Sequence, residues 1–455
     1  MKLSKMMSKV KRTGWEITED PDVLGITDDS REVVKGGVFV AAPGHTVDGH
    51  DYIGNAIEAG AKVIVHEKPV DLPEGIVSIE VEDSFVALGQ MSYEFFEKPD
   101  ENMVMIGITG TNGKTSSTYF IGSILQAHGK KVGIIGTNGA MILDRHKELP
   151  NTTPFPLLLH ETLAEMVNAG CEYCVMEVSS HAMTLGRVAN IHFDYVLFTN
   201  LTQDHLDFHG DMESYFQAKK SLFPLVKKLA YINTDDEYGI RLIDELQDSI
   251  DVKTYGIDKK GDITASNIQY RLNGASYDLH LPQGNMHLNI NTPGKFSIYN
   301  TMMSAALCAE MGVPLDVIAK GLKEMKGVKG RFQVVYTNTD YHVIIDFAHT
   351  SDSLEKILQT IREFKTGRLV VIFGAGGDRD RTKRPIMGRV AGEYADFCIV
   401  TSDNPRSEVP ERIIEDIVAG LEPVNQNFVT ITDRKEAIHY AIDNAQPEDI
   451  IVLAG

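Results

Sequence analysis

Short, nearly unbroken apolar runs alternate with longer polar segments along this chain. In residues 1–101, Val38–Ala42 and Ala61–His66 predict strands, with a helix over Tyr52–Ala59 between them. In residues 102–330, strands are expected at Val104–Ile108, Lys131–Ile135, Tyr173–Val178, Tyr195–Thr199 and Leu229–Asn233, with helices filling the gaps. In residues 331–455 the pattern repeats at Val343–Asp346, Leu369–Phe373, Phe397–Thr401, Phe428–Ile431 and Ile450–Leu453. Strands that are apolar throughout, spaced by helix-length segments, predict parallel sheets covered on both faces. The expected fold class is α/β, with a central, mostly parallel sheet and a Rossmann-like C-terminal domain. At about 150 residues per domain, 455 residues make three, with boundaries at 1–101, 102–330 and 331–455. Phe96–Asn102, with Pro99 set among charges, is the expected linker.

Composition narrows the function by exclusion. A net charge of −20 argues against nucleic-acid binding, which requires a basic patch. Four cysteines are too few for a disulfide scaffold in a chain of this length. Cys171 and Cys174 form C-x-x-C, but Cys174 opens the apolar run CVMEV, so both read as strand-edge thiols. The basic N-terminus MKLSKMMSKVKR has no apolar core, so it is not a signal peptide. No run approaches the ~18 apolar residues of a membrane span, so no membrane insertion and a cytoplasmic location are expected.

The chemistry centres on Val104–Thr118, VMIGITGTNGKTSST. A strand, a glycine turn, Lys114-Thr115 and a helix form a phosphate cradle. The glycines let backbone N–H groups point inward, the lysine adds a point charge, and the threonine hydroxyl suits Mg²⁺. The spacing is the shorter G-T-N-G-K-T, because Ile108 stands where the usual first glycine belongs. Glu177 ends one further strand run of the same region and His205 follows another, and a carboxylate and an imidazole beside phosphates suit divalent-metal ligation. In the third region, Gly374–Arg379 imitates a dinucleotide fingerprint but has Arg379 at the third glycine position. With Thr401–Arg406 it forms two charged loops at strand ends, suited to an anionic or zwitterionic ligand.

An ordered set of motifs carries a resemblance across essentially the whole chain: GTNGKT, NTTP (Asn151–Pro154), MEVSSHAM (Met176–Met183), FTNLTQDHLDFHG (Phe198–Gly210), YFQAKKSLF (Tyr215–Phe223), GVKGRF (Gly327–Phe332), DFAHTSDSLE (Asp346–Glu355), GAGGDRDRTKRP (Gly374–Pro385) and DNPR (Asp403–Arg406). Together they resemble the Mur ligases, ATP-dependent amino-acid-adding enzymes of peptidoglycan synthesis, and among them the type that adds the third peptide residue. The resemblance implies UDP-N-acetylmuramoyl-L-alanyl-D-glutamate, ATP and meso-diaminopimelate as substrates, the last indicated by Arg406. It implies an acyl-phosphate intermediate and a pair of Mg²⁺ ions.

By position, the resemblance assigns ATP to Gly110, Thr111, Asn112, Gly113, Lys114, Thr115 and Ser116, adenine to Asn300, ribose to Asp346 and the phosphate end to Arg331. It assigns Mg²⁺ to Thr115, Glu177, His205 and a carbamylated Lys219 (N6-carboxylysine), with Lys220 a competing candidate. Lys114, Lys219, His205 and Glu177 form the implied catalytic set. The UDP-sugar dipeptide falls to Ser30, His45, Thr46, Val47, Asn151, Thr152, Thr153, Ser179 and Arg187. The incoming amino acid falls to Arg379, Asp403, Asn404, Pro405, Arg406 and Gly455.

The chain departs from the family pattern in places. Ser297 replaces the usual first Asn of F-N-x-x-N, Phe347 and Ser351 replace Tyr and Pro, and Gln333 replaces Glu. The sequence stops at Gly455, before the family's G-K-G-H-E and closing helix, which implies a truncated C-terminal domain. Three alternatives stay open at this point: the same ligase using L-lysine, a folylpolyglutamate-type ligase, and a homologue that binds nucleotide and UDP-sugar without efficient catalysis. The N-terminal domain and DNPR argue against the second. A GTPase would need a guanine-reading N-K-x-D, which the sequence lacks.

Overall fold

The structure is a computed structural model that describes residues 1–14, 19–43, 47–271 and 273–455. It is α/β throughout, and its chain divides into two compact units. The first unit comprises Met1–Ile106 and Lys131–Asp194, and the second Gly107–Lys130 and Tyr195–Gly455.

The first unit contains a five-stranded sheet in the order Arg12–Gly14, Val77–Val81, Val63–His66, Val38–Val40, Ile26–Thr27. Arg12–Gly14 is antiparallel and the rest are parallel. The central strands have both faces covered. Val38, Val40, Val63, Val65 and Ile79 pack on Ala87, Leu88 and Met91 of the helix Ser84–Phe95. Phe39 and Ile64 pack on Ile53 and Ala56 of the helix Ile53–Glu58. Asp83 caps Ser84–Phe95 by accepting from Val86 N at 2.9 Å. The unit's second group of strands runs Tyr173–Glu177, Val132–Gly136, Gly139–Ile142, Arg145–Lys147. The first two are parallel and the last two fold back as antiparallel strands where helix was expected.

Phe96–Asn102 is no loose tether. Pro99–Asn102 forms a 3-10 turn with Pro99 and Asp100 buried, and Asp100 Oδ2 accepts from His192 N at 3.0 Å.

In the second unit, the strand that begins at Val104 leads through the glycine turn into the helix Lys114–Ala127. Its sheet continues through Phe193–Phe198, Val226–Asn233 and Val252–Gly256 to Ile263–Arg271, Gly274–Leu281 and Gly284–Ile290. Those last three form an antiparallel meander, so this sheet is mixed. Gly274 starts the middle strand at φ +145, where a Cβ would lie 1.9 Å from the Ile290 carbonyl oxygen. A second, six-stranded sheet runs Gln333–Val335, His342–Asp346, Ile450–Ala454, Leu369–Phe373, Phe397–Val400, Phe428–Thr430. Apart from the first strand it is parallel, the Rossmann-like arrangement expected. Leu369, Val371, Phe373, Cys398 and Val452 face one core, and Val370, Ile372, Ile399 and Ile451 the other.

Candidate active site

In the second unit the phosphate loop is fixed by close packing. Gly110 (φ +142) lies so near Thr199 that a Cβ would sit 1.8 Å from its hydroxyl. Gly113 (φ +89) would meet Asn300 Oδ1 at 2.5 Å. Any side chain there would displace Asn300 and strain a left-handed backbone. The loop's N–H groups are held from one side: Thr111 N donates to Asn200 O at 2.8 Å and Asn112 N to Asn200 Oδ1 at 3.0 Å. Gly113 ends the turn, and the N-terminus of Lys114–Ala127 begins there, a favourable end for anions.

Lys114 Nζ donates to Gly110 O at 2.9 Å and Thr111 O at 2.8 Å. Lys219, on the helix Met212–Lys220, is 1% exposed and donates to the same Gly110 carbonyl at 2.8 Å. Burial, reinforced by the charge of Lys114 and opposed by Asp204, holds its amine far below the ordinary lysine range. Lys220 instead pairs with Glu245 at 2.5 Å, away from the loop. His205, at φ 56, sits with Nε2 3.3 Å from Asp204 Oδ2. Burial alone would raise the Asp204 carboxyl, but the charges of His205, His349 and Lys383 bring it below its usual value. Among the described residues, no group of three or more His, Cys, Asp or Glu forms a metal cage. A Mg²⁺ bound through substrate phosphates needs only one or two protein ligands, so the loop does not require one.

Beside the loop lies a cavity of about 400 Å³, within the range of a small-molecule site. Asn112, Gly113, Ser116, Asn300, Arg331 and Asp346 all line it, which gathers six of the ten expected nucleotide residues at one site. Arg331 Nη2 donates to Thr115 Oγ1 at 3.1 Å, and its guanidinium lies over the Phe347 ring. Asp346 Oδ2 accepts from Phe332 N at 2.6 Å, and burial raises its carboxyl to about 6. Its surface is accessible where it lines the cavity. Its backbone oxygen accepts from Gly455 N at 3.0 Å.

Ser297 donates its hydroxyl to Pro293 O at 2.7 Å, so it bonds the backbone that leads into its own helix, Lys295–Glu310. Sequence reasoning missed three other contributors, Tyr299, Asp235 and Asp352. Tyr299 donates to Asp235 at 2.6 Å, and Asp235 also accepts the N–H groups of Ile257, Asp258 and Lys259, which stiffens one cavity wall. Asp352 Oδ2 accepts from Asn112 at 2.9 Å, Thr202 at 3.2 Å and Lys356 at 2.9 Å, tying the phosphate loop to the helix Ser351–Arg362.

Over the six-stranded sheet, Arg379 and Arg406 are both exposed, and Arg406 bonds the Gly377 carbonyl. Arg379 lies 3.6 Å from Asp207. Arg434 donates to Ala454 O at 3.0 Å and Gly455 O at 3.3 Å, which fixes the strand end near Asp403.

In the first unit, Glu177 ends the strand Tyr173–Glu177 at 1% exposure. Its carboxylate accepts from Thr137 N at 2.8 Å, and a Cβ on Gly136 would come within 2.2 Å of it. Thr153 is the hub of the neighbouring group. Its hydroxyl bonds Glu177 O at 2.9 Å and accepts from Ser179 N at 3.1 Å, while its carbonyl takes Arg187 Nη1 at 2.8 Å. Arg187 stacks over Phe155 at 4.0 Å, and burial lowers its pKa from the usual value. Asn151 and Thr152 adjoin this group, and Thr152 Oγ1 is 3.1 Å from Thr137 Oγ1. Ser30 and Val47 belong to the loops of the five-stranded sheet. His45 and Thr46 lie outside the described residues. Among the described residues, no helix is long and apolar enough to cross a membrane.

Comparison with known proteins gives a consistent picture. The family model for the Mur ligase middle domain matches residues 108–308. That for the Mur ligase glutamate ligase domain matches residues 330–455, and that for the Mur ligase family catalytic domain matches residues 22–93. The chain is 44% identical to UDP-N-acetylmuramoyl-L-alanyl-D-glutamate–2,6-diaminopimelate ligase 1 of Clostridium acetobutylicum, over 100% of this chain and 94% of the relative. It is 42% identical, with the same coverage, to the corresponding ligase of Caldanaerobacter subterraneus subsp. tengcongensis. A solved structure of a UDP-N-acetylmuramoyl-L-alanyl-D-glutamate–2,6-diaminopimelate ligase superposes with a TM-score of 0.72 at 28% identity, covering 100% of this chain and 93% of that one.

Proposed function

Because this chain belongs to the Mur ligase family, we propose that it joins meso-diaminopimelate to UDP-N-acetylmuramoyl-L-alanyl-D-glutamate with cleavage of ATP, in peptidoglycan synthesis. The observation that carries the reading is the loop Gly110–Ser116 beside a cavity lined by Asn300, Arg331 and Asp346. The relatives' names supply the acceptor and the amino acid. The three segments matched by the family models support boundaries at 1–101, 102–330 and 331–455. The reaction takes place in the cytoplasm.

A carboxylate and an amine do not condense in water, because the carboxylate lacks a leaving group. Phosphorylation by ATP provides one, and the free amine displaces phosphate to form the amide. Phosphoryl transfer depends on alignment and charge neutralisation. Lys114 and the helix N-terminus at Gly113 hold the phosphates, and Arg331 stands beside Thr115 to meet their far end. Asn300 and Asp346 orient the nucleoside. Asn151–Thr153, Ser179 and Arg187 hold the UDP-linked dipeptide, together with Ser30, His45, Thr46 and Val47. Arg379, Asp403, Asn404, Pro405, Arg406 and Gly455 hold the amino acid.

The residues fit a pair of Mg²⁺ ions with a carbamate. A neutral amine is the species that adds carbon dioxide, and burial of Lys219 shifts its amine toward that form. In the second unit the hydroxyl of Thr115, the imidazole of His205 and a carbamate on Lys219 would offer donors to Mg²⁺, and in the first unit Glu177 would offer a carboxylate. Bound Mg²⁺ supplies charge neutralisation to the transferring phosphoryl group.

Arg406 supports the choice of amino acid. Meso-diaminopimelate carries a carboxylate at the far end of its side chain, where lysine carries only an ammonium. A guanidinium fork pairs with the first and repels the second. The deciding experiment measures phosphate release from ATP and the UDP-dipeptide with each amino acid, for wild type and Arg406→Ala. The wild type is expected to prefer meso-diaminopimelate, and the variant to lose roughly ten- to a hundredfold of that preference. Preference for lysine, or an unchanged preference in the variant, overturns the reading.

A further inference from the structure

The loops 374–380 and 401–408 are tied directly to each other. Gly377 N donates to Asn404 O at 2.9 Å, and a Cβ on Gly377 would lie 1.9 Å from Pro405 O. A Cβ on Gly376 would meet Arg406 Nη1 at 3.0 Å and Arg379 Cγ at 3.8 Å, so the two exposed arginines flank one glycine. Like charges repel, and Asp378 (φ 50) and Arg406 (φ 50) both hold left-handed conformations that ordinary side chains avoid. Something must hold this arrangement in place.

That support lies beneath the loops. Arg384, with no exposed surface, donates to Glu408 through Nη2 at 2.7 Å and Nη1 at 3.0 Å, and to Asp416 at 2.9 Å. Glu408 Oε1 also accepts the Asp378 N–H at 2.7 Å. The Asp378 carboxylate in turn accepts the N–H of Ser407 at 3.1 Å and its hydroxyl at 2.7 Å. The chain of bonds therefore runs from the buried Arg384 through Glu408 to the residue before Arg379, and on to the residue after Arg406. A buried ion pair is a poor way to gain stability alone, because apolar packing of the same volume often does as well. Its use is geometric.

We propose that Arg384, acting through Glu408 and Asp378, is a positioning residue for amino-acid selection. It holds Arg379 and Arg406 at the spacing that grips the carboxylate-tipped side chain. The proposal rests on the reading of Arg406 given above, and its test separates the two.

Glu408→Gln keeps the shape and an acceptor for Asp378, and Arg384 keeps Asp416 as its partner, so the fold survives. Ser407→Ala removes one bond of the chain, and Arg384→Met, checked by circular dichroism, removes its base. Values of kcat and of KM for all three substrates are measured in wild type and variants. In Glu408→Gln the KM for meso-diaminopimelate is expected to rise about tenfold, the scale of one charge-assisted contact, while kcat and the other KM values stay within about twofold. Ser407→Ala is expected to shift the same constant about threefold. Preference over lysine should fall by the same factor. An unchanged amino-acid KM in Glu408→Gln overturns the proposal and leaves Arg384 merely structural. So does a parallel change in every constant. If the wild type takes lysine, the reading of Arg406 fails, and the positioning role is then judged on the KM for lysine in the same variants.

Discussion

Lys114 and Lys219 donate to the same carbonyl oxygen, that of Gly110, at 2.9 and 2.8 Å. Two cationic side chains meet at one acceptor, and only one of them lies in the loop. Burial and the charge of its neighbour both disfavour the charged form of Lys219. A lysine with a depressed pKa makes the folded state poorer in protons than the unfolded one, so its penalty is present at neutral pH and fades as pH rises toward the ordinary lysine value near 10.4. Lys219→Met should therefore melt higher than wild type at pH 7, with the gap narrowing as pH rises toward 10. It should also lose at least ~100-fold in kcat, as expected when charge stabilisation at a reacting phosphoryl group is removed. Added bicarbonate should stabilise wild type and leave Lys219→Met unmoved. Thermal scans across pH with and without bicarbonate check this, and a variant no more stable than wild type at pH 7 contradicts it.

Asp346 gives a pH dependence of opposite sign. Burial raises its carboxyl to about 6, so the folded state holds a proton that the unfolded state releases near 3.8. Its contribution to stability is full below pH 4 and is lost as pH rises through about 6. Binding should run the other way, because the ionised carboxylate is the better acceptor for ribose hydroxyls. ATP affinity is expected to increase as pH climbs through about 6 in wild type. Asp346→Asn should bind about tenfold more weakly and show no such rise. Titration calorimetry between pH 5 and 8 decides it.

Gly113→Ala should abolish nucleotide binding more completely than its size suggests. The added methyl would stand 2.5 Å from Asn300 Oδ1 at a φ of +89. Both faults fall on the cavity, so a drop in ATP affinity of at least ~100-fold is expected with little change in UDP-dipeptide binding. Equal loss for both ligands would point to a general folding defect instead.

Asp352→Ala should separate the phosphate loop from the helix Ser351–Arg362 by removing an acceptor of three hydrogen bonds. Lys356 and Asn112 would be left to solvent at the cavity wall. The KM for ATP is expected to rise about five- to tenfold, with Asp352→Asn intermediate. Identical kinetics in wild type and both variants would show that this tie does not support ATP binding.

The parallel strands were legible because each is apolar on both faces. Leu369–Phe373 is covered on both sides and reads as an uninterrupted hydrophobic run. The meander from Ile263 to Ile290 escaped because its edge strand, Gly284–Ile290, sets exposed residues between its buried and half-buried ones, a weak signal in a polar stretch. Phe96–Asn102 looked like a linker because Pro99 stands among charges, yet Asp100 is buried against the His192 N–H, a partner 92 residues away that local composition cannot reveal. The same limit hid Asp352, whose bond to Asn112 spans 240 positions. In the pair Lys219-Lys220 the chemistry was legible but the choice was not. Burial separates them: one turns into the phosphate loop, and the other meets Glu245.

Asp346 belongs to two neighbourhoods at once. Its carboxylate lines the cavity, and its backbone oxygen accepts the Gly455 N–H at the end of the adjacent strand. Whatever stiffens one side of this residue is felt on the other through a single peptide unit. Thermodynamic coupling of this kind has no direction. If an amino acid seated at Gly455 tightens the hold on nucleotide, nucleotide tightens the hold on amino acid by the same factor. The affinities of the two sites are then tied by one factor, whichever substrate binds first.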